Sequence, residues 1–196
     1  MSLAEHIVEH AQSLPEGATL RAKELLHLGP RASIDQAMTR LERSGELVRV
    51  SRGLYMLPVQ GRFGPRPPSP ATALKALSAA TGEIFAAHGA VAANALGLST
   101  QVPMKAIYLT SGRSRRLKVG GQWLDLRHAP EWQLLLPGQP AGDAVRALSW
   151  GGREHAGQTI NQLRRKLPGS ELKSLLTLRG RLPSWLAQEV SSLVHA

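Results

Sequence analysis

Cysteine is absent from the chain. That excludes a disulfide framework, a thiolate metal site and a cysteine nucleophile. Aromatic residues make up only 4% of the sequence, so a core has to be built from Leu, Ala, Val and Ile. No apolar run is long enough to cross a bilayer, and Glu5 and Glu9 argue against a signal peptide. The expectation is a cytoplasmic protein with no membrane partner. A Walker A phosphate loop is missing, and no Ser/His/Asp grouping has a sequence context that supports a triad. Internal repeats and low-complexity tracts are missing too. No catalytic residue, cofactor or metal is assigned, and an enzyme is not expected.

What is present is charge of one sign, unevenly placed. The 196 residues, 42% of them hydrophobic, suffice for one or two compact domains. Lys and Arg outnumber Asp and Glu by 24 to 14, a formal +10. Residues 1–57 hold seven of each kind, so the whole excess lies downstream. Within residues 1–57 the acids gather early (Glu5, Glu9, Glu16, Glu24). Arg31, Arg40, Arg43, Arg49 and Arg52 gather late.

The stretch from Arg31 to Leu57 organises the rest. Ser33 to Gln36 fits a capping box at a helix start. Ile34, Ala37, Met38 and Leu41 then recur at helical spacing and define a buried stripe. The opposite face carries Gln36, Thr39, Arg40 and Arg43, with Asp35 and Glu42 among them, and Gly45 supplies a left-handed stop. Glu46–Val50 and Gly53–Leu57 are rich in strand formers, joined at Ser51, Arg52 and Gly53 by a hairpin turn. Upstream, Ser2 caps an amphipathic helix through Leu14, and Thr19 is expected to cap a second helix through Leu28. Residues 1–57 therefore read as a winged helix-turn-helix that binds DNA. Its reading helix would use Arg31, Ser33, Gln36, Thr39, Arg40 and Arg43, and its wing Arg49, Ser51 and Arg52. Amides, hydroxyls and guanidinium groups on one helix face suit base edges in the major groove. A basic wing tip suits phosphates or the adjacent minor groove.

Residues 58–70 are dense in Pro and Gly and read as a semi-rigid linker, on which Arg62 and Arg66 could follow a phosphate backbone. Residues 71–196 read as a basic α/β domain. Ser69 and Pro70 start a helix that ends at Gly82, a strand follows near 83–87, and small residues from Gly89 to Gly97 make a helix suited to close packing. Strands are expected at 106–110, 115–120, 122–129 and 131–136, and helices at 141–150, 154–167, 170–178 and 184–194. The fold class is α+β: the winged head, then a mixed α/β domain with a small sheet and a helical final third.

With the whole chain laid out, it resembles the AbiEi-like antitoxins of type IV toxin–antitoxin systems over nearly all its length. The residues that carry the likeness are Ser33 to Leu41, Arg52 to Tyr55, Ala92 to Pro103, Tyr108 to Gly112, and Leu126 to Pro130. The resemblance implies an antitoxin that binds double-stranded DNA at its own promoter and represses its operon. It also implies a cognate nucleotidyltransferase-like toxin as partner.

Two patterns suggest metal chemistry and are set aside. His6, Glu9 and His10 match H-x-x-E-H, but on a helix of a small head without an evident cleft. Glu171 and Lys173 with Asp143 superficially match a nuclease E-x-K, but Ser170 is expected to cap a helix there rather than a strand. Basic clusters are the stronger signal in the body: Arg113, Arg115, Arg116 and Lys118, then Arg164, Arg165 and Lys166. They offer a surface to nucleic acid or a protein partner, although helix-terminal cations also complement the dipole. The alternative function is an RNA- or protein-binding, toxin-neutralising module whose winged head is mainly scaffold.

Overall fold

The computed structural model describes residues 1–101 and 104–194. Val102 and Pro103 of the antitoxin-like stretch, and His195, lie outside the described residues. The chain is mixed α+β and divides into two compact units, Met1–Glu83 with Arg116–Leu124, and Ile84–Arg115 with Asp125–Ala196. Among the described residues no helix is long and apolar enough to cross a membrane.

The first unit opens with α1 (Leu3–Ser13), whose capping box from Ser2 to Glu5 is formed as expected. Helix α2 (Arg31–Arg43) buries Ile34, Ala37, Met38 and Leu41, the stripe read from periodicity. Its start differs from expectation. Pro30 is the N-cap, and its carbonyl accepts the Ile34 N–H at 3.1 Å. Ser33 already has helical backbone and so cannot cap. Gly45 follows the helix with φ 81°, as a left-handed stop requires. The second expected helix is corrected too. Thr19–Leu20 is a short strand, β1, and only a 3-10 turn, Ala22–Leu25, remains beyond it. Pairing Thr19 with Met56 and Leu20 with Tyr55 gives those backbone groups partners that a lone helical turn could not.

β2 (Val48–Ser51) and β3 (Leu54–Met56) form the expected hairpin, and with β1 make a sheet ordered β1-β3-β2. Ile7, Leu20, Leu25, Ile34, Met38 and Leu47 fill the core beneath it. Residues 58–70, expected to be a linker, instead contain a hairpin of β4 (Val59–Gly61) and β5 (Gly64–Arg66). A two-stranded sheet has only edges, where Pro65 is tolerated opposite Gln60. Helix α3 (Pro70–Thr81) starts as predicted, with the Ser69 hydroxyl accepting the Thr72 N–H at 3.1 Å, and packs against β2.

In the second unit β6 (Phe85–Ala87) pairs antiparallel with β7 (Ile107–Thr110). β7 in turn pairs parallel with the second-unit end of β9 (Gln122–His128), from Ile107 with Asp125 to Thr110 with His128. β8 (Arg115–Val119) completes the order β6-β7-β9-β8, and Arg116–Leu124, which hold nearly all of β8 and the start of β9, belong to the first unit. α4 (Gly89–Ala95) packs on α5 (Pro140–Gly151) so closely that a Cβ on Gly89 would lie 2.4 Å from the Trp150 Cβ. α6 (Arg153–Lys166), α7 (Gly169–Thr177) and α8 (Ser184–Ser191) close a helical core around Leu148, Ile160, Leu163, Leu175 and Leu186. α7 begins behind Pro168, not with a Ser170 cap.

The expected fourth strand, 131–136, is a 3-10 turn over Glu131–Leu134. Short apolar runs do not distinguish strand from helix. Here the carbonyls of Gln133 and Leu135 are taken by the buried Arg146, at 3.1 and 3.0 Å, instead of by a neighbouring strand. Asp143 pairs with the same guanidinium at 2.7 Å.

Candidate nucleic-acid interface

The side of α2 away from the core is polar and open to water. Ser33, Gln36, Arg40 and Arg43 are exposed there and Thr39 is half-buried. Two of the six expected residues on this helix are already engaged. Arg31 sits on the flank, ion-paired with Asp35 at 2.9 Å. Thr39 donates its hydroxyl to the Asp35 carbonyl at 2.8 Å, which leaves its oxygen free to accept.

The β2–β3 turn is two residues, Arg52 and Gly53, between the paired Ser51 and Leu54. Gly53 has φ 72°, a left-handed conformation that a β-branched residue strongly resists. A bulge between Arg49 and Ser51 turns the Arg49 guanidinium back, so that its Nε donates to the Ser51 carbonyl at 3.3 Å.

One arrangement was missed in the sequence. The turn of the β8–β9 hairpin lies against Pro67, with so little room that a Cβ on Gly120 would sit 2.2 Å from the proline Cβ. This brings Arg116 and Lys118 to the first unit. There they line a cleft of about 700 Å³ with Arg49, Ser51, Arg52 and Arg66. Glu42 is the acidic residue on its wall. The exposed Trp123 carries the Arg116 guanidinium 5.0 Å and the Lys118 ammonium 6.0 Å from its ring centroids, within cation–π range. The signal for this face was in the sequence: Arg116 and Lys118 are two apart on a strand, on one side of it. The unit holds twelve Lys/Arg against eight Asp/Glu, a net +4, where residues 1–57 alone are neutral.

The other expected cations do not join this cleft. Arg113 is exposed, and its carbonyl accepts from Arg115 Nη1 at 3.2 Å. Arg164 donates to the Ser192 carbonyl at 3.1 Å, and Lys166 donates to the Gly97 carbonyl just past α4. Both therefore satisfy backbone oxygens near helix ends, and Arg165 alone of that trio stands exposed without such a task among the described residues. The acids of the E-x-K pattern are likewise engaged: Glu171 accepts the Ala141 N–H at 2.9 Å, and Asp143 holds Arg146. His10 meets His27 edge-on, ring centroids 5.7 Å apart. In the second unit burial first, and the Arg127 charge second, hold His88 below the usual histidine range, while burial raises Tyr108. His88 also accepts the Ala90 N–H on Nδ1 at 3.3 Å, at the start of α4.

A mixed α+β chain with a basic cleft in its first unit is thus the class that the fold and site define. The chain belongs to a family described as "Family of unknown function (DUF6088)", matched over residues 6–172. No curated protein matches it. Its fold is similar to the crystal structure of RV2827C protein from Mycobacterium tuberculosis, with a TM-score of 0.51 and 18% identity. That likeness covers 98% of this chain and 76% of the other, and at such identity it speaks for the fold alone.

Proposed function

We propose that this chain is a DNA-binding transcriptional regulator with an N-terminal winged helix-turn-helix. α2 would read the major groove through Gln36, Arg40 and Arg43. The β2–β3 hairpin would serve as the wing, and the cleft would hold the phosphate backbone. The observation that carries this reading is the gathering of Arg49, Arg52, Arg66, Arg116 and Lys118 on one cleft. Cations gathered on one open cleft make a surface that attracts a polyanion. The resemblance to AbiEi-like antitoxins supports the finer reading: a cytoplasmic repressor of its own operon that also neutralises a nucleotidyltransferase-like toxin. A DNase I footprint of the full chain on the DNA upstream of its gene tests the first part. Protection of a discrete site is expected, and uniform or absent protection at physiological salt would overturn it.

One observation favours a second reading, an RNA- or protein-binding module with the head as scaffold. The second unit holds twelve Lys/Arg against six Asp/Glu, a net +6 that exceeds that of the first. Co-purification of the chain with a specific RNA or toxin, combined with a blank footprint, would favour it.

A further inference from the structure

The β4–β5 hairpin ends in a two-residue turn, Arg62 and Phe63, between Gly61 and Gly64, which pair across the strands. Phe63 is 99% exposed. A ring held wholly in water adds no packing to the free protein, and water around it is relieved only by a partner. The hairpin that carries it is closely built. A Cβ on Gly61 would lie 3.1 Å from the Gly64 carbonyl oxygen and 3.3 Å from Arg66 Cδ, so the strands close tightly and a side chain there would press on its neighbours. Pro65 and Pro67 restrict the returning strand, and Pro67 is held against Gly120.

The surroundings of the ring are cationic. Arg62 is its neighbour in the turn, and Arg66 at the foot of β5 lines the same cleft as Arg49, Arg52, Arg116 and Lys118. A strand rises about 3.3 Å per residue, which puts the tip about 10 Å beyond Arg66, and the minor groove is about 7.5 Å deep. A protein partner for an exposed ring usually meets it within an apolar patch, whereas this ring has Arg62 beside it in the turn and the cation-lined cleft at the foot of its hairpin. We propose that Phe63 is a minor-groove wedge: with duplex DNA along the cleft, its ring enters between two base pairs while Arg62 and Arg66 hold the adjacent phosphates. Apolar side chains flanked by cations insert at base steps in this way and partly unstack them. The inference rests on the DNA-binding reading above and adds to it a contact outside the winged helix-turn-helix.

The test uses the full chain and duplexes of the DNA upstream of its gene, each with 2-aminopurine at one position, whose fluorescence rises on unstacking. Wild type should brighten the probe at one step beside the footprint. Phe63→Ser should abolish that signal and bind roughly ten-fold more weakly, whereas Phe63→Leu, still an apolar wedge, should retain most of it. Because the ring is fully exposed, both variants should melt like wild type. Tight binding with no bright step, or a bright step that persists in Phe63→Ser, overturns the wedge and leaves the DNA reading standing. Failure of wild type to bind any of the duplexes overturns both.

Discussion

Replacing Arg116 and Lys118 together by Gln should change how binding to DNA depends on salt. The two side chains join Arg49, Arg52 and Arg66 on the cleft, five cations in all. If each neutralises one phosphate, the slope of log affinity against log salt is about −4.5, at about 0.9 per contact. Raising salt from about 50 to about 200 mM should then weaken wild type about 500-fold. With two contacts removed the slope falls to about −2.7 and the same change costs about 40-fold. Anisotropy titrations on one labelled duplex at four salt concentrations read both values. Arg165→Gln, an exposed cation of the second unit, serves as the comparison and should leave the slope unchanged. Equal slopes for wild type and the double variant would refute the claim that this cleft follows the backbone. A loss of slope in Arg165→Gln would place the contact in the second unit instead.

Three further outcomes follow from single positions. His88 is favoured in its neutral form by burial and by Arg127, so its folded pKa lies below the unfolded one. Its contribution to stability is therefore present above the ordinary histidine value and is lost as pH falls through the folded one. Thermal melts between about pH 7.5 and 5 should show wild type losing stability on acidification more steeply than His88→Gln. Arg146→Ala leaves Asp143 without its ion-pair partner and strips two carbonyls of their donor, so urea unfolding should show a loss of about 3–5 kcal/mol. Gly53→Val forces a β-branched residue to φ 72° and should cost at least about 1–2 kcal/mol by the same assay. A Gly53→Val protein as stable as wild type would mean that the turn is drawn wrongly.

The sequence was most legible where one periodicity ran uninterrupted. The α2 stripe, the α3 cap and stop, the β2–β3 turn and the helical final third all depend on local pattern. Errors fell where a long-range partner decided the outcome. Thr19 becomes a strand because the edge of β3 is open to it, and residues 131–134 become a turn because Arg146 takes the carbonyls of Gln133 and Leu135 that a strand would have paired. Proline density concealed the β4–β5 hairpin, since its strands carry almost no strand-forming residues apart from Val59. The α2 face was visible as a polar stripe. The cleft was not: Arg116 and Lys118 stand far along the chain from Arg49 and Arg52, and the close seat of Gly120 on Pro67 is a long-range contact that sequence does not show. Conversely, Arg164 and Lys166 looked like a binding cluster because sequence does not reveal which cations are already bound to helix-end carbonyls.

The account depends above all on sequence-specific reading by α2. Gln36→Ala and Arg40→Ala, titrated against the footprinted site and against random duplex of equal length, test it most directly. Each substitution should weaken the specific complex by about 1–3 kcal/mol and the random one far less, so the specificity ratio collapses. If both variants keep the wild-type ratio, α2 does not read the site, and the role of the winged helix-turn-helix as the DNA reader fails with it.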